Sequence, residues 1–225
     1  MFPLGMVLLP GAVLPLHVFE PRYRRLVRDL IEGEPEFGVT LIERGSEVGG
    51  GDQRTSVGTV ARMLQVTETP DGRFALVTVG TRRIRVLAWL PDDPYPRAEV
   101  EDWPDDGDDP GGPDDWGGGG AIEEEIADVL REVRRVLALA VELGDLAADP
   151  GVEISTDPVL ASYHLTALAP LGPADRFRLL GAPGPRRRLA LLRELLADAD
   201  AGLQFRLRGA TDDGGPPRSA PPMGS

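Results

Sequence analysis

The sequence predicts an α+β fold in which a β-rich lobe with one helix is followed by a helical lobe. From residue 6 to residue 103, short apolar runs rich in β-branched residues alternate with glycine and proline turns, as in strands. After residue 121, the apolar residues follow the helical period. We therefore expect a β-rich lobe at residues 1–103, an acidic, mobile linker at 104–120, a helical lobe at 121–205 and a disordered tail at 206–225.

Seven segments of the first lobe are predicted to be strands because they are short, apolar and bounded by turn residues. They are Met6–Leu9, Val13–Phe19, Phe37–Glu43, Val57–Thr69, Phe74–Gly80, Ile84–Leu90 and Tyr95–Val100. Between the fourth and fifth segments, the sequence Thr-Pro-Asp-Gly combines residues that favour a tight turn, so these two strands should form a hairpin.

Prolines mark the starts of the predicted helices, because proline fits the first helical position. Pro21 begins a helix that Gly33 ends, and its apolar residues fall on one face that should pack on the sheet. The second lobe opens with a long helix from Ile122 to Val141. Three further helices should run from Pro158 to about Ala169, from Pro173 to about Leu180 and from Pro185 to about Ala201.

The composition excludes several kinds of chemistry. The sequence contains neither cysteine nor lysine, and all 24 basic residues are arginine. It therefore cannot form disulfides, a Ser-Lys dyad, a Schiff base or a lysine-containing phosphate loop. Only His17 and His164 could serve as imidazole ligands, so we expect no metal and no other cofactor.

Charge and hydropathy limit the classes of partner that we expect and the compartment in which we expect the protein. The net charge is −13, with eight acidic residues between positions 101 and 116. Such a balance repels phosphate backbones and disfavours nucleic acid as a partner. The apolar first sixteen residues lack a basic start and are broken by three prolines, and no apolar run reaches the ~18 residues of a membrane span. We expect a cytoplasmic protein that does not bind membranes.

Candidate catalytic residues are few. Ser162 and His164 are two apart on a predicted helix, so they should not face each other. His17 and Glu20 would meet only if the chain bends before Pro21, and a hydrolase built around His17 therefore stays a minor hypothesis. The run Arg186–Arg188 should surround a helix end in solvent, although it could also grip an anionic partner.

The order of motifs in the first lobe resembles a known family. Residues 2–27 are similar to the opening of the Lon amino-terminal domain, especially in its stand-alone bacterial members. The resemblance continues in the family's order through Phe37-Gly38-Val39, Glu47-Val48-Gly49, Val57-Gly58-Thr59-Val60-Ala61, Asp71-Gly72-Arg73, Val79-Gly80-Thr81-Arg82-Arg83 and Pro94-Tyr95. It is strong over residues 2 to about 100 and looser over the helical remainder.

The resemblance implies a PUA-like pseudo-barrel followed by helices, and a non-catalytic module that binds polypeptides. In full-length Lon proteases this domain helps to select substrates, while ATPase and Ser-Lys protease modules perform the chemistry. The 225 residues leave no room for those modules. We expect binding to unfolded or hydrophobic segments or an adaptor role, with an RNA-binding pseudo-barrel as the alternative.

Met63, Leu64 and Val66 are the candidate peptide-binding residues, because their strand is long and ends in the exposed hairpin turn. Strict alternation would place Leu64 and Val66 on one face and Met63 on the other. The sequence does not predict the oligomeric state.

Overall fold

The computed structural model describes residues 1–44, 53–105, 121–145 and 151–212. Within these ranges the chain forms six strands and five helices. The strands are β1 (Phe2–Leu4), β2 (Val13–Val18), β3 (Glu36–Arg44), β4 (Gln53–Glu68), β5 (Phe74–Leu90) and β6 (Arg97–Asp102). The helices are α1 (Pro21–Ile31), α2 (Ala121–Glu142), α3 (Pro158–Leu168), α4 (Pro173–Leu180) and α5 (Pro185–Asp212).

All six strands belong to one mixed sheet with the order β1-β3-β4-β5-β2, and β6 pairs with the second half of β5. The β1–β3 pair is parallel and the other pairs are antiparallel. The predicted α+β class is confirmed. Two predicted strands, Phe74–Gly80 and Ile84–Leu90, are parts of the single strand β5, because pairing with β4 continues from Gly80 to Arg83 across a bulge.

The predicted strand Met6–Leu9 is wrong. Its residues Val7–Leu9 are buried, yet they are irregular, and the first strand lies earlier, at β1. The Leu8 carbonyl accepts a hydrogen bond of 2.7 Å from the Thr59 hydroxyl, and the Leu9 carbonyl accepts one of 3.1 Å from the Ala12 N–H. The apolar run therefore reflects burial rather than strand pairing.

Helix α1 packs on one face of the sheet. Tyr23, Leu26 and Val27 are buried in a core that also contains Phe74. Ile31, at the end of the same predicted apolar face, is instead largely exposed. The preceding residue, Leu30, still packs against this core, so the apolar contact of α1 ends there.

The turn between β4 and β5 is a tight hairpin, as predicted. The Thr69 N–H donates to the Arg73 carbonyl at 2.9 Å, and Gly72 adopts a φ of 74°. Residues with a side chain rarely adopt this left-handed conformation, which explains glycine at this position.

The helical lobe has its own apolar core, formed where α2, α3 and α5 pack together. Its fully buried members include Val129, Val133, Leu165, Leu189 and Leu192. The three predicted proline starts are confirmed, and α3 is capped by the Asp157 side chain, which accepts from the Leu160 N–H at 2.8 Å. The last helix, however, continues to Asp212.

The helix α5 thus extends past Ala201, where the sequence predicts its end, and into the range expected to be disordered. Residues 213–225 of the predicted tail and residues 106–120 of the predicted linker lie outside the described residues. The boundary between two lobes stays a prediction.

A buried cluster of ionic side chains joins the sheet to the helices. Asp105 forms an ion pair of 2.7 Å with Arg188 on α5 and one of 3.0 Å with Arg83 on β5. Arg83 also donates at 2.8 Å to the carbonyl of Leu180, the last residue of α4. This arrangement suits the negative end of a helix dipole.

Two expectations are corrected by this cluster. Arg188 was expected in solvent but is fully buried, and Asp105 was expected in a solvated linker but its side chain is only 3% exposed. The sequence does not reveal this burial, because each charge is buried only together with its partners, which are distant along the chain. Arg186 pairs instead with Glu125 at 3.6 Å.

Candidate functional site

The three candidate peptide-binding residues do not alternate as predicted. The register between β4 and β5 shifts between Met63 and Gln65, so that Leu64 is the extra residue of a β-bulge. Met63 is 8% exposed and belongs to the core, whereas Leu64 is 60% exposed. Val66 is partly buried against the same core as Met63. The bulge therefore places Met63 and Val66 on one side and exposes Leu64, contrary to the expected pairing of Leu64 with Val66.

These residues nevertheless line one concavity, which we call the hairpin groove. Its volume is about 430 Å³. It lies where the end of α1 and the start of β3 approach the hairpin, and its lining consists of Ile31, Pro35, Met63, Leu64, Gln65, Val66, Glu68 and Phe74. Most of these side chains are apolar, and those of Ile31 and Leu64 are more than half exposed.

The sequence did not place Ile31, Pro35 or Phe74 in the groove. These residues come from three separate elements, and no local pattern shows that the end of α1 meets the start of β5. Of these three residues, only Ile31 could have been suspected from the sequence. It is the last apolar residue of the amphipathic helix and follows the turn that contains the buried Leu26 and Val27.

The charged groups at the rim of the hairpin groove are already paired. Glu68 forms an ion pair of 3.2 Å with Arg28, and the same guanidinium lies 5.7 Å from the centre of the Phe74 ring. Both side chains of the pair are about half exposed, so the pair contributes little to stability. The groove thus offers an apolar surface without a strong charge of either sign.

Arginines on the exposed face of the sheet are likewise neutralised by carboxylates. Glu36 accepts from Arg62 at 2.8 Å and from Arg82 at 2.7 Å. The hydrogen bond from Arg82 holds the pKa of Glu36 below its usual range, so the carboxylate is ionised at neutral pH. Arg85 pairs with Glu101 at 3.4 Å. Such paired charges give little attraction for a phosphate backbone.

His17 and Glu20 line one hollow, but no hydrogen bond joins them. The His17 side chain is exposed on β2, while the Glu20 carboxylate forms an ion pair of 3.0 Å with Arg22. A general base needs a partner within hydrogen-bond reach. The arrangement therefore offers no acid-base pair between these two residues.

Ser162 and His164 also point in different directions. The buried Ser162 hydroxyl donates to the Val159 carbonyl at 2.7 Å and accepts from Arg188 at 2.6 Å. An arginine cannot act as a general base because it stays protonated. The His164 Nδ1 atom accepts from the Ser155 N–H at 3.3 Å, and burial lowers the pKa of His164, so its imidazole is neutral.

Neither a metal site nor a membrane span is found in the part of the chain that the structure describes. Within those ranges, no three carboxylate or imidazole side chains cluster as metal ligands would. None of the described helices combines the length and the apolar character needed to cross a bilayer.

The architecture defines the class of the domain, a mixed six-stranded sheet with one packed helix, followed by a helical lobe. A family profile described as the ATP-dependent protease La (LON) substrate-binding domain matches residues 1–198. The chain therefore belongs to the Lon substrate-binding domain family. The matched region is the non-catalytic substrate-binding domain and not the protease domain.

Solved structures agree with this assignment. The Lon N-terminal domain protein from Xanthomonas campestris is 30% identical with a TM-score of 0.56, and the match covers 87% of this chain and 95% of that one. The N-terminal domain of a Mycobacterium avium complex Lon protease has the same TM-score at 21% identity, with 87% and 97% covered, and shows the fold alone.

Curated relatives are much longer proteins. A Lon protease of Cytophaga hutchinsonii is 34% identical over 97 residues, which are 43% of this chain and 12% of that protein. Lon protease 1 of Herpetosiphon aurantiacus is 23% identical over 202 residues, which are 86% of this chain and 23% of that protein. The chain thus spans a quarter or less of the length of these relatives.

Proposed function

We propose that this protein is a non-catalytic module that binds unfolded or hydrophobic polypeptide segments through its β-lobe. The observation that carries the proposal is the bulge at Leu64, which turns a large apolar side chain out of the sheet beside an apolar groove. Exposed apolar groups that cluster around a concavity are typical of interaction sites. The family membership supports the same function, because the family is named for substrate binding.

The composition of the hairpin groove favours weak binding that depends little on salt. Full burial of a leucine side chain contributes about 1.5–3 kcal/mol, so covering the exposed part of Leu64 should contribute roughly 1–2 kcal/mol. A few such contacts have to offset the loss of freedom on association. We therefore expect dissociation constants of about micromolar or weaker. Because the rim charges are paired, screening should change the affinity little.

The test is a titration of a fluorescently labelled, reduced and alkylated α-lactalbumin, at low and high salt. Leu64→Ser should weaken binding about 5- to 30-fold, because 1–2 kcal/mol of apolar contact is lost. The matched control is Leu87→Ser, since Leu87 is 58% exposed and is also the extra residue of a bulge, on β5, but does not line the groove.

Equal affinities of the Leu64→Ser and Leu87→Ser variants would reject the groove as the binding surface. Binding that disappears at high salt would instead indicate a charged partner and would revive the RNA-binding alternative. No binding at all by the folded wild-type protein would contradict the proposed function itself.

A further inference from the structure

Strand β2 lies at an edge of the sheet. The hydrogen bond that closes the β4–β5 hairpin determines which N–H and C=O groups of β2 point away from the sheet. The Thr69–Arg73 hydrogen bond closes the hairpin, so Arg73 and every second residue after it bond to β4. The intervening residues of β5 bond to β2, where their partners are Val18, Leu16 and Leu14. The alternate residues of β2, at positions 13, 15 and 17, therefore direct their N–H and C=O groups away from the sheet.

The sequence of β2 fits this orientation. Pro15 has no N–H group, and it occupies an outward position where the sheet needs none. Val13 and His17, the outward residues on either side of Pro15, each keep an outward N–H and an outward C=O group. The side chains of all three residues are exposed, whereas those of Leu14 and Val18 are buried. No strand of the described residues covers this edge.

Two hollows adjoin the free edge of β2, and His17, Val18 and Phe19 line both of them. The outer hollow, of about 470 Å³, extends from these three residues to the hairpin, where residues 69–71 and 73–75 line it. His17 is paired with Ala75, so both side chains lie on the outer face. Phe19 is 54% exposed at the rim of this hollow.

The inner hollow, of about 220 Å³, lies on the core side. Besides the three shared residues, it is lined by Pro15 and Leu16 of β2, by Phe2 and Leu4 of β1, and by Glu20 and Tyr23 at the start of α1. It therefore occupies the gap between the two edge strands, β1 and β2. A strand added beside β2 would point its side chains alternately to the two faces, where the two hollows lie.

The charges that line the hollows are neutralised locally. In the outer hollow Asp71 and Arg73 form an ion pair of 2.7 Å, and in the inner hollow Glu20 pairs with Arg22 at 3.0 Å. A charged side chain entering either hollow would lose water without gaining an unpaired counter-charge. The complementary occupant is therefore an uncharged segment.

We propose that the free edge of β2 binds an uncharged, extended polypeptide segment as an additional strand, with alternate side chains in the two hollows. In this mode the main-chain hydrogen bonds supply affinity and the pockets supply specificity. The proposal rests on the proposed polypeptide-binding function. It adds the edge of β2 to the hairpin groove as a second binding surface and names the conformation of the segment bound there.

A second copy of the chain is less suited to this edge. Two-fold antiparallel pairing of β2 strands centred on Pro15 would place one proline opposite the other, so that both donors at the centre are missing. Proline on an edge strand is a device that prevents such self-pairing. A separate segment with its own N–H groups loses one donor at most.

The test compares proline with alanine at the same outward position. His17→Pro removes the outward N–H and leaves the pairing with β5 intact, whereas His17→Ala removes the side chain and keeps the N–H. With a labelled, uncharged heptapeptide of alternating valine and threonine, blocked at both ends, we expect His17→Pro to bind at least about fivefold more weakly than His17→Ala. Val13→Pro and Val13→Ala form a second pair, and thermal unfolding shows which variants are folded.

The outcomes separate this inference from the proposed function. Equal heptapeptide affinities within a folded proline and alanine pair overturn the strand addition. Binding of unfolded α-lactalbumin without heptapeptide binding also overturns it and leaves the proposed function standing, whereas failure to bind either probe refutes the proposed function. A dimer in light scattering that His17→Pro dissociates would show that a second copy occupies the edge, which likewise overturns the inference.

Discussion

Replacing Asp105 by asparagine removes a carboxylate that pairs with two buried guanidinium groups. The Asp105 side chain accepts from Arg188 at 2.7 and 3.1 Å and from the Tyr163 hydroxyl at 3.2 Å, and it lies 3.0 Å from Arg83. Burial raises the pKa of Tyr163 to about 12, so the phenol stays a donor. Asparagine keeps the shape of the side chain but not its charge.

The expected loss of stability is large. Removing one partner of a buried ion pair costs about 3–5 kcal/mol, because a buried charge is left without compensation. Two cations lose the same carboxylate here, but each also donates to carbonyl oxygens at the end of α4. We therefore expect Asp105→Asn to lower the free energy of unfolding by about 3–5 kcal/mol in total. For a chain of this size, that corresponds to a fall of roughly 6–20 °C in the midpoint of thermal unfolding.

The assay is thermal unfolding followed by circular dichroism, with Asp102→Asn as the matched control. Asp102 also pairs with an arginine, Arg82, at 2.9 Å, but its side chain is 66% exposed. Surface pairs of this kind contribute less than about 1 kcal/mol. If both substitutions lower the midpoint by the same small amount, the buried cluster does not stabilise the junction between sheet and helices.

Three further predictions concern stability. Met63→Ala should lower the free energy of unfolding by about 2–5 kcal/mol, because a core side chain is lost. Leu64→Ala should lower it by less than about 0.5 kcal/mol. Equal losses in chemical denaturation would contradict the bulge. Gly80→Ala should cost about 1–3 kcal/mol, because its Cβ would lie 2.3 Å from the Leu9 carbonyl oxygen, and an unchanged denaturation midpoint would refute the close approach. Burial lowers the pKa of His164, so the folded protein binds a proton there less readily than the unfolded chain. The free energy of unfolding is therefore highest above the unfolded pKa of about 6.5 and falls as the pH drops below it. The His164→Gln variant should lose less stability than the wild type between pH 7 and 5.

Local signals in the sequence predict much of the fold. Prolines 21, 158, 173 and 185 all lie at helix starts, because the fixed φ of proline and its missing N–H suit the first helical position. The hairpin turn is equally local, since Gly72 and its neighbours determine its geometry. These elements need no knowledge of the rest of the chain.

Features that depend on distant partners could not be predicted in this way. The bulge at Leu64 is a property of the register between two strands, and a shift of one residue exchanges the faces of a strand. The burial of Arg188 depends on Asp105, which lies 83 positions away. Alternation and runs of charge each describe a single segment of the chain. They therefore predicted a shared face for Leu64 and Val66, and exposure for Arg188, and both predictions are wrong.

The free edge of β2 is a feature of the same kind. The short apolar segment Val13–Phe19 predicts a strand, but only the sheet order shows that nothing in the described chain pairs with its outer side. Pro15 is the one local signal, since proline inside a sheet is confined to edges.

Amide hydrogen exchange, with and without saturating unfolded α-lactalbumin, tests most directly whether the β-lobe binds polypeptides. We expect slower exchange in β2 and in β4 around Leu64 when the polypeptide is bound, and unchanged exchange in α2 and α5. Protection confined to the helices, or no protection anywhere in the β-lobe at saturation, would contradict polypeptide binding by this lobe.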